Sequence, residues 1–236
     1  RYPIASSRVI DLPLCYDHFS HVEKRIGNRN GLLAEIATPM GKICFVTAHL
    51  EVRNAPSCRA KQIDAIVKEM PADLPGLIAG DFNSNTFARG GMLTTLQGFA
   101  RLMFSNADRL RESIRQPQSL EPLFSHLKQA GFEENGFNDG AVSCFVPMTI
   151  LEDSKRLPGF LASAVNRQMA RYNGRLDFRL DWILGRGFRA LKENEVIGEM
   201  GDESSPGPLT LAGLRRGDGS LISDHDPICV DVVLAR

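Results

Sequence analysis

The chain has 236 residues, 43% of them hydrophobic and 24% charged, which suits one packed domain. Lys plus Arg and Asp plus Glu both number 28, so the formal net charge is zero and no global positive field draws the protein onto a polyanion such as duplex nucleic acid. Five cysteines (Cys15, Cys44, Cys58, Cys144, Cys229) are scattered without the spacing of a zinc site. They read as mostly structural thiols and lean toward a reducing compartment. No apolar run approaches the roughly 18 to 20 residues of a membrane span, and no signal-peptide pattern opens the chain.

The opening Arg1-Tyr2-Pro3-Ile4 lacks an initiator Met and leads straight into strand-like segments, so the chain is expected to begin inside a domain. Apolar runs at 32–36 and 43–50 flank Thr38-Pro39-Met40-Gly41, whose Pro and Gly predict a hairpin turn. The second of these strands delivers His49. After Pro56, the positions Ala60, Ile63, Ile66, Val67 and Met70 recur at helical spacing and predict a helix ending before Pro71. A short buried strand at Leu77-Ile78-Ala79 then runs into Gly80-Asp81-Phe82-Asn83-Ser84. From 91 to about 115 an amphipathic pattern carries Leu93, Leu96, Phe99, Leu102 and Met103 on one side, and a second helix is expected over 120–130. Arg179-Leu180-Asp181-Trp182-Ile183-Leu184 reads as an apolar strand holding one carboxylate. Residues 201–220 read as a mobile surface loop, and Ser223-Asp224-His225-Asp226-Pro227 precedes a final strand at 228–234. Strands and helices alternate irregularly, which predicts a layered α/β sandwich around largely antiparallel sheets.

The polar residues His49, Asp81 with Asn83, Asp181, and Asp224 with His225 all sit on or beside the ends of apolar strands. That shared placement predicts one site. Carboxylates and an amide offer the hard oxygen donors that Mg²⁺ or Mn²⁺ prefer, and two imidazoles handle protons near neutral pH. Such a set suits hydrolysis at phosphorus, where developing charge must be neutralised and a water activated. The zero net charge favours a small or locally engaged phosphate substrate over a nonspecific nuclease target.

In order along the chain, Thr47-Ala48-His49-Leu50, Arg59 with Gln62, Gly80-Asp81-Phe82-Asn83-Ser84, Arg179-Leu180-Asp181-Trp182-Ile183 and Ser223-Asp224-His225-Asp226-Pro227 resemble the motifs of the endonuclease/exonuclease/phosphatase superfamily, whose fold is that of deoxyribonuclease I. The resemblance implies a four-layered α/β sandwich of two packed mixed, largely antiparallel sheets with outer helices. One such domain would span residues 1–236, incomplete at the N-terminus because the family's metal-binding Asn and Glu precede the segment matched by Arg1. Glu35 lies after that point and is not assigned as the missing ligand.

Carried over residue by residue, Asp81 would orient or deprotonate the attacking water, and Asn83 would hold that water or a phosphate oxygen. His225 would face the phosphate and Asp181 would fix its tautomer, as the third member of a hydrolase triad does. Asp224 would lie beside Mg²⁺ or Mn²⁺ as a ligand or through water, and His49 would face the scissile phosphate as a substrate-binding proton or hydrogen-bond donor. The resemblance implies a divalent-metal-dependent phosphoester hydrolase. Its substrate would be nucleic acid, a nucleotide, or a phospholipid or inositol phosphate head group, with no obligate protein partner evident. The alternative is a catalytically inactive scaffold that keeps the fold for binding.

Simpler readings exist for each residue. Gly80-Asp81 could be a turn, Asn83 a helix cap, His49 a satisfied core histidine and His225 a surface residue beside a proline. Asp181 is harder to explain away, since a lone carboxylate inside an apolar strand is costly. Asp177, in the repeated Arg175-Leu176-Asp177-Phe178, competes for its role but lacks the apolar continuation. Eight basic residues between Arg156 and Lys192 read as a solvated helix face, or alternatively as a phosphate-binding wall. Trp182 reads as core and Cys144 receives no role.

Overall fold

The structure is a computed structural model that describes residues 2–15, 28–52, 54–86, 97, 100, 101, 103–147, 163, 167, 170–172, 175–197 and 203–235. Its centre is a five-stranded sheet in the order β1-β2-β3-β4-β7, formed by β1 (Ile4–Asp11), β2 (Asn30–Thr38), β3 (Gly41–His49), β4 (Gly76–Asp81) and β7 (Asp181–Arg186). β2 and β3 form the hairpin expected from the Pro-Gly turn, and Gly41 at φ +113° occupies a conformation that a Cβ disfavours. The β3 and β4 strands run parallel because α1 (Pro56–Glu69) carries the chain back between them, while the other pairings are antiparallel.

Period-two alternation sorts these strands into an inner and an outer face. Leu33, Val46, Ile78 and Leu184 stand opposite one another in register across four strands, and each is at most 2% exposed. Ile63 and Ile66 of α1 join them in one core with Leu123 and Leu127 of α3 (Pro122–Gln129) and with Phe132. Phe124 meets Trp182 edge to face at 4.7 Å, so Trp182 is core as expected. The outer row of Leu32, Thr47, Ala79 and Ile183 follows in the neighbouring register, with Leu32 at 48% exposure. At the β7 edge the Asn138 side chain donates to Ile183 O at 2.8 Å and accepts from Ile183 N at 3.1 Å, closing the ladder as a strand would.

A second layer is built from short ladders. β5 (Cys144–Pro147) pairs with β6 (Arg175–Phe178), and α2 (Ala107–Arg115) packs on β6 around Leu110, Ile114, Tyr172 and Phe178. β8 (Phe188–Ala190) pairs with β13 (Val232–Leu234), β9 (Val196–Ile197) with β10 (Glu203–Ser204), and β11 (Leu209–Thr210) with β12 (Ile228–Cys229). The architecture is therefore mixed α/β around a central mixed sheet, in agreement with the fold class expected from the motifs. No helix of the described residues is long and apolar enough to cross a membrane.

Four expectations need correction. Cys15 and Cys58 are not free thiols: they form a disulfide, because Pro56 starts α1 where the chain after β1 passes its first turn. The helix expected over 91–115 is interrupted: Asn106 caps α2 with its side chain on the Asp108 and Arg109 amides. Leu93, Leu96, Phe99 and Leu102 lie outside the described residues. The final strand is two pieces, since β12 and β13 pair with different partners on either side of Val230 and Asp231. Within 201–220, β10 and β11 are paired strands, not an unstructured loop.

The disulfide closes a sequence separation of 43 residues. Removing it restores chain entropy to the unfolded state. Cys15→Ser is expected to lower stability by about 2–4 kcal/mol, read as a lower midpoint in urea, and reduction of the native protein should give the same shift.

Candidate active site

Three adjacent strand ends place three of the expected residues in one row. His49 at the end of β3 stands in register with Asp81 at the end of β4, and Asp81 with Asp181 at the start of β7. Because the side-chain period is two, all three project on the outer face of the sheet. His49 Nε2 lies 3.1 Å from Asp81 Oδ2. His225, brought in by an antiparallel bridge between Cys144 and the turn before β12, places Nδ1 2.8 Å from Asp181 Oδ2. Asp177 is engaged elsewhere, with Arg115 and Arg175.

Asn83 sits beneath the row at 3% exposure and φ +48°. Its backbone N–H donates to Asp81 Oδ1 at 2.8 Å, and its amide nitrogen donates to Asp81 Oδ2 at 3.2 Å and to Leu50 O at 2.9 Å. Asn83 thus fixes the Asp81 carboxylate and ties it to the strand that carries His49. Asp224 is exposed on the turn beside His225, with a 3.5 Å contact from Ser223 Oγ, and is not part of the row.

The charges follow from these neighbours. Burial pushes the Asp81 carboxyl up to about 6, against the lowering effect of the Asn83 amide, with Asp181 adding repulsion. Burial lowers His49 below its ordinary value, helped by Arg29 and His225. His225 is pushed up to about 11, first by its hydrogen bond to Asp181 and then by one to Cys144. At neutral pH the site therefore holds a neutral His49, a largely ionised Asp81 and an imidazolium His225 held by Asp181. The His225 contribution to stability is fully present below its unfolded value of 6.5 and is lost as pH rises through about 11.

Mg²⁺ takes about six oxygen ligands in near-octahedral geometry. Among the described residues no group of three or more His, Cys, Asp or Glu is placed to hold a metal ion. Asp81 already receives two donors from Asn83 and faces His49. These residues alone do not fit the cation.

The sequence reading missed three supports. Gly80, at φ +147°, lies so close to Ala48 that an added Cβ would stand 2.0 Å from its carbonyl oxygen, so only glycine lets β3 and β4 approach here. Ser143 Oγ accepts the N–H groups of Leu180 and Asp181 at 3.1 and 3.0 Å, while Ser143 O accepts from Asp226 N at 2.7 Å. One serine thereby sets β7 against the His225 turn. Cys144 carries the strand bridge to His225, and its side chain adds to the raised His225 pKa. Gly80 was readable as the residue before the site carboxylate; Ser143 and Cys144 depend on a pairing across about 80 residues that no local pattern signals.

Beside the row an open groove of about 540 Å³ is floored by Leu32, Thr47, His49 and Asp81 among others. Its lining joins an apolar strip to the polar strand ends.

No protein-family model and no curated protein matches the sequence. Solved structures do match. A conserved protein of unknown function from Enterococcus faecalis is 14% identical, aligning over 99% of this chain and 67% of its own with a TM-score of 0.52, which establishes a shared fold. An endonuclease/exonuclease/phosphatase from Beutenbergia cavernae is 15% identical over 99% of this chain and 46% of its own, with a TM-score of 0.49. D. rerio TDP2 complexed with a single-strand DNA product is 15% identical over 99% of this chain and 69% of its own, with a TM-score of 0.47. The chain thus spans about half the length of the Beutenbergia protein.

Proposed function

We propose that this chain is a phosphoester hydrolase of the phosphodiesterase, nuclease or phosphatase type, in which side chains at the β3, β4 and β7 ends activate water for attack on phosphorus. The observation that carries the reading is the His49, Asp81, Asp181 row with His225 bonded to its far end. It places an ionised carboxylate and an imidazolium on one face, the pairing that water attack at phosphorus needs: a base for the nucleophile and a cationic donor for the phosphoryl oxygens.

In this mechanism Asp81 takes the proton of the attacking water, held in position by Asn83 and His49. His225, oriented by Asp181, donates Nε2–H to a phosphoryl or leaving oxygen. His49, neutral, contributes a hydrogen bond at the groove side. Mg²⁺ or Mn²⁺ is the proposed cofactor, with Asp224 as its expected ligand, and would supply charge neutralisation at the phosphate. The competing reading is a catalytically inactive scaffold that keeps the fold for binding. Substrates of nucleic-acid, phospholipid and inositol phosphate head-group type all present the required ester.

Two measurements separate the readings. Purified chain is incubated with a chromogenic phosphodiester and with 5′-labelled oligonucleotide, with Mg²⁺, with Mn²⁺ or with EDTA. Product is the expected result, and the EDTA arm reads whether a metal takes part; no product under any condition favours the scaffold. The pH profile is the second. Asp81 must be ionised to accept a proton, so kcat/KM should rise as pH increases through about 6. His225 must be protonated to donate, so the rate should fall again only as pH approaches about 11. A profile with its acid limb unchanged by Asp81→Glu would remove Asp81 from the role of base.

A further inference from the structure

Outside the row, the packing of α2 on β6 forms a second pocket of about 350 Å³ lined by Arg111, Arg115, Tyr172, Arg175, Leu176 and Asp177. Three guanidinium groups face one carboxylate there. Asp177 takes Arg115 at 3.4 Å and Arg175 at 2.9 Å. Arg111 reaches the Arg171 carbonyl at 2.7 Å and Asp108 at 3.2 Å.

The arginines are held flat. Arg111 lies 5.4 Å over the Tyr172 ring and Arg175 lies 5.6 Å over the Phe145 ring, which fixes the planes of their donor forks. Tyr172 itself is 2% exposed, yet its hydroxyl has no hydrogen-bond partner among the described residues. A buried donor left unpaired costs stability unless something else accepts its proton.

We propose that this pocket binds a phosphate group, which accepts from the Arg111, Arg115 and Arg175 forks and from the Tyr172 hydroxyl. Phosphate suits the set because its oxygens accept from several planar forks at once, whereas a single carboxylate is already present in Asp177. The neutral phenol remains a donor through the physiological range, because burial raises the Tyr172 pKa.

The topology links this pocket to the candidate active site. β5 pairs Cys144 with Phe178 and Pro147 with Arg175, and Cys144 also bridges to His225. Three residues of strand separate those ends, roughly 10 Å at ~3.3 Å per residue. A substrate with a second phosphate one unit away from the scissile one could therefore be held at both places. That link rests on the proposed hydrolase activity; phosphate binding itself does not.

The test is calorimetric titration of the whole chain with inorganic phosphate and, in parallel, with 5′-phosphorylated dithymidylate, at low and high salt. Wild type should bind inorganic phosphate, more weakly as salt rises. Tyr172→Phe, which keeps the ring, should weaken binding about threefold to tenfold, and the Arg115→Gln/Arg175→Gln pair more than tenfold. Phosphate binding that persists in His225→Gln and is lost with the arginine pair is this pocket's own, so failure of the hydrolase reading would not disturb this arm. Dithymidylate binding that needs both His225 and the arginines would identify the ligand as substrate; inorganic phosphate binding alone would identify a free anion. Wild type that binds neither probe, or variants that bind both as wild type does, would overturn the proposal. Should the arginine pair fail to fold, Tyr172→Phe decides alone.

Discussion

Replacing His225 by Ala is expected to lower turnover of a phosphodiester on the order of 10³-fold, the middle of the range for removing a positioned proton donor. The expectation follows from geometry. His225 reaches the site through the bridge to Cys144 and the neighbouring Asp226 N to Ser143 O bond, and its ring is set by Asp181 at 2.8 Å. Removing the ring deletes the imidazolium of the row, because His49 beside Asp81 is held neutral by burial and by Arg29. Asp181→Asn separates orientation from presence. The ring stays, but it loses the carboxylate that contributes most to raising its pKa, so the alkaline limb should move down from about 11 toward the ordinary imidazole range. A fall in rate with the alkaline limb unmoved would show that Asp181 acts by some route other than the His225 ring.

Glu121→Ala should be the most destabilising single change near the site. Glu121 and Arg59 are both fully buried, joined at 2.5 Å between Oε1 and Nη2 and at 3.1 Å between Oε2 and Nε. Arg59 also donates to the carbonyls of Glu51 and Asn54, just past His49, and Glu121 accepts from Thr86 N, just past Asn83. The pair thus fastens the two loops that leave the site to α1 and α3. Truncating one member strands a guanidinium in a dry interior, a loss of about 3–5 kcal/mol. For a domain of this size that corresponds to a fall in Tm on the order of 10 °C. Calorimetry of the variant reads it directly, and a Tm within roughly 2–3 °C of wild type, the shift expected of an exposed pair, would show the pair to be dispensable.

What the sequence could convey differed by the range of the signal. The β2–β3 hairpin, α1 and β4 were legible because their periods and turn residues are local. Asp81 and Asp181 were legible for the opposite reason: each is a carboxylate in an apolar strand, which local packing does not explain. Their register, side by side with His49, was not readable, because it depends on β4 pairing with β7 about 100 positions later. The Cys15–Cys58 bond was missed on similar grounds, since scattered cysteines carry no spacing signal and only the approach of α1 to the chain after β1 brings them together. The helical stretch expected over 91–115 breaks before α2 because Asn106, a strong cap, starts a new helix there. The role of Asn83 also changed in emphasis. Its amide nitrogen is spent on Asp81 and Leu50, so it holds the carboxylate in place.

The central claim, water attack on phosphorus assisted by Asp81, is tested most directly by following hydrolysis of a phosphodiester in ¹⁸O-water by ³¹P NMR. The account predicts that one ¹⁸O enters the phosphate monoester product, shifting its resonance upfield, and that Asp81→Asn slows this incorporation on the order of 10³-fold while the protein stays folded. Label found in the alcohol product, or incorporation by Asp81→Asn at the wild-type rate, would contradict it.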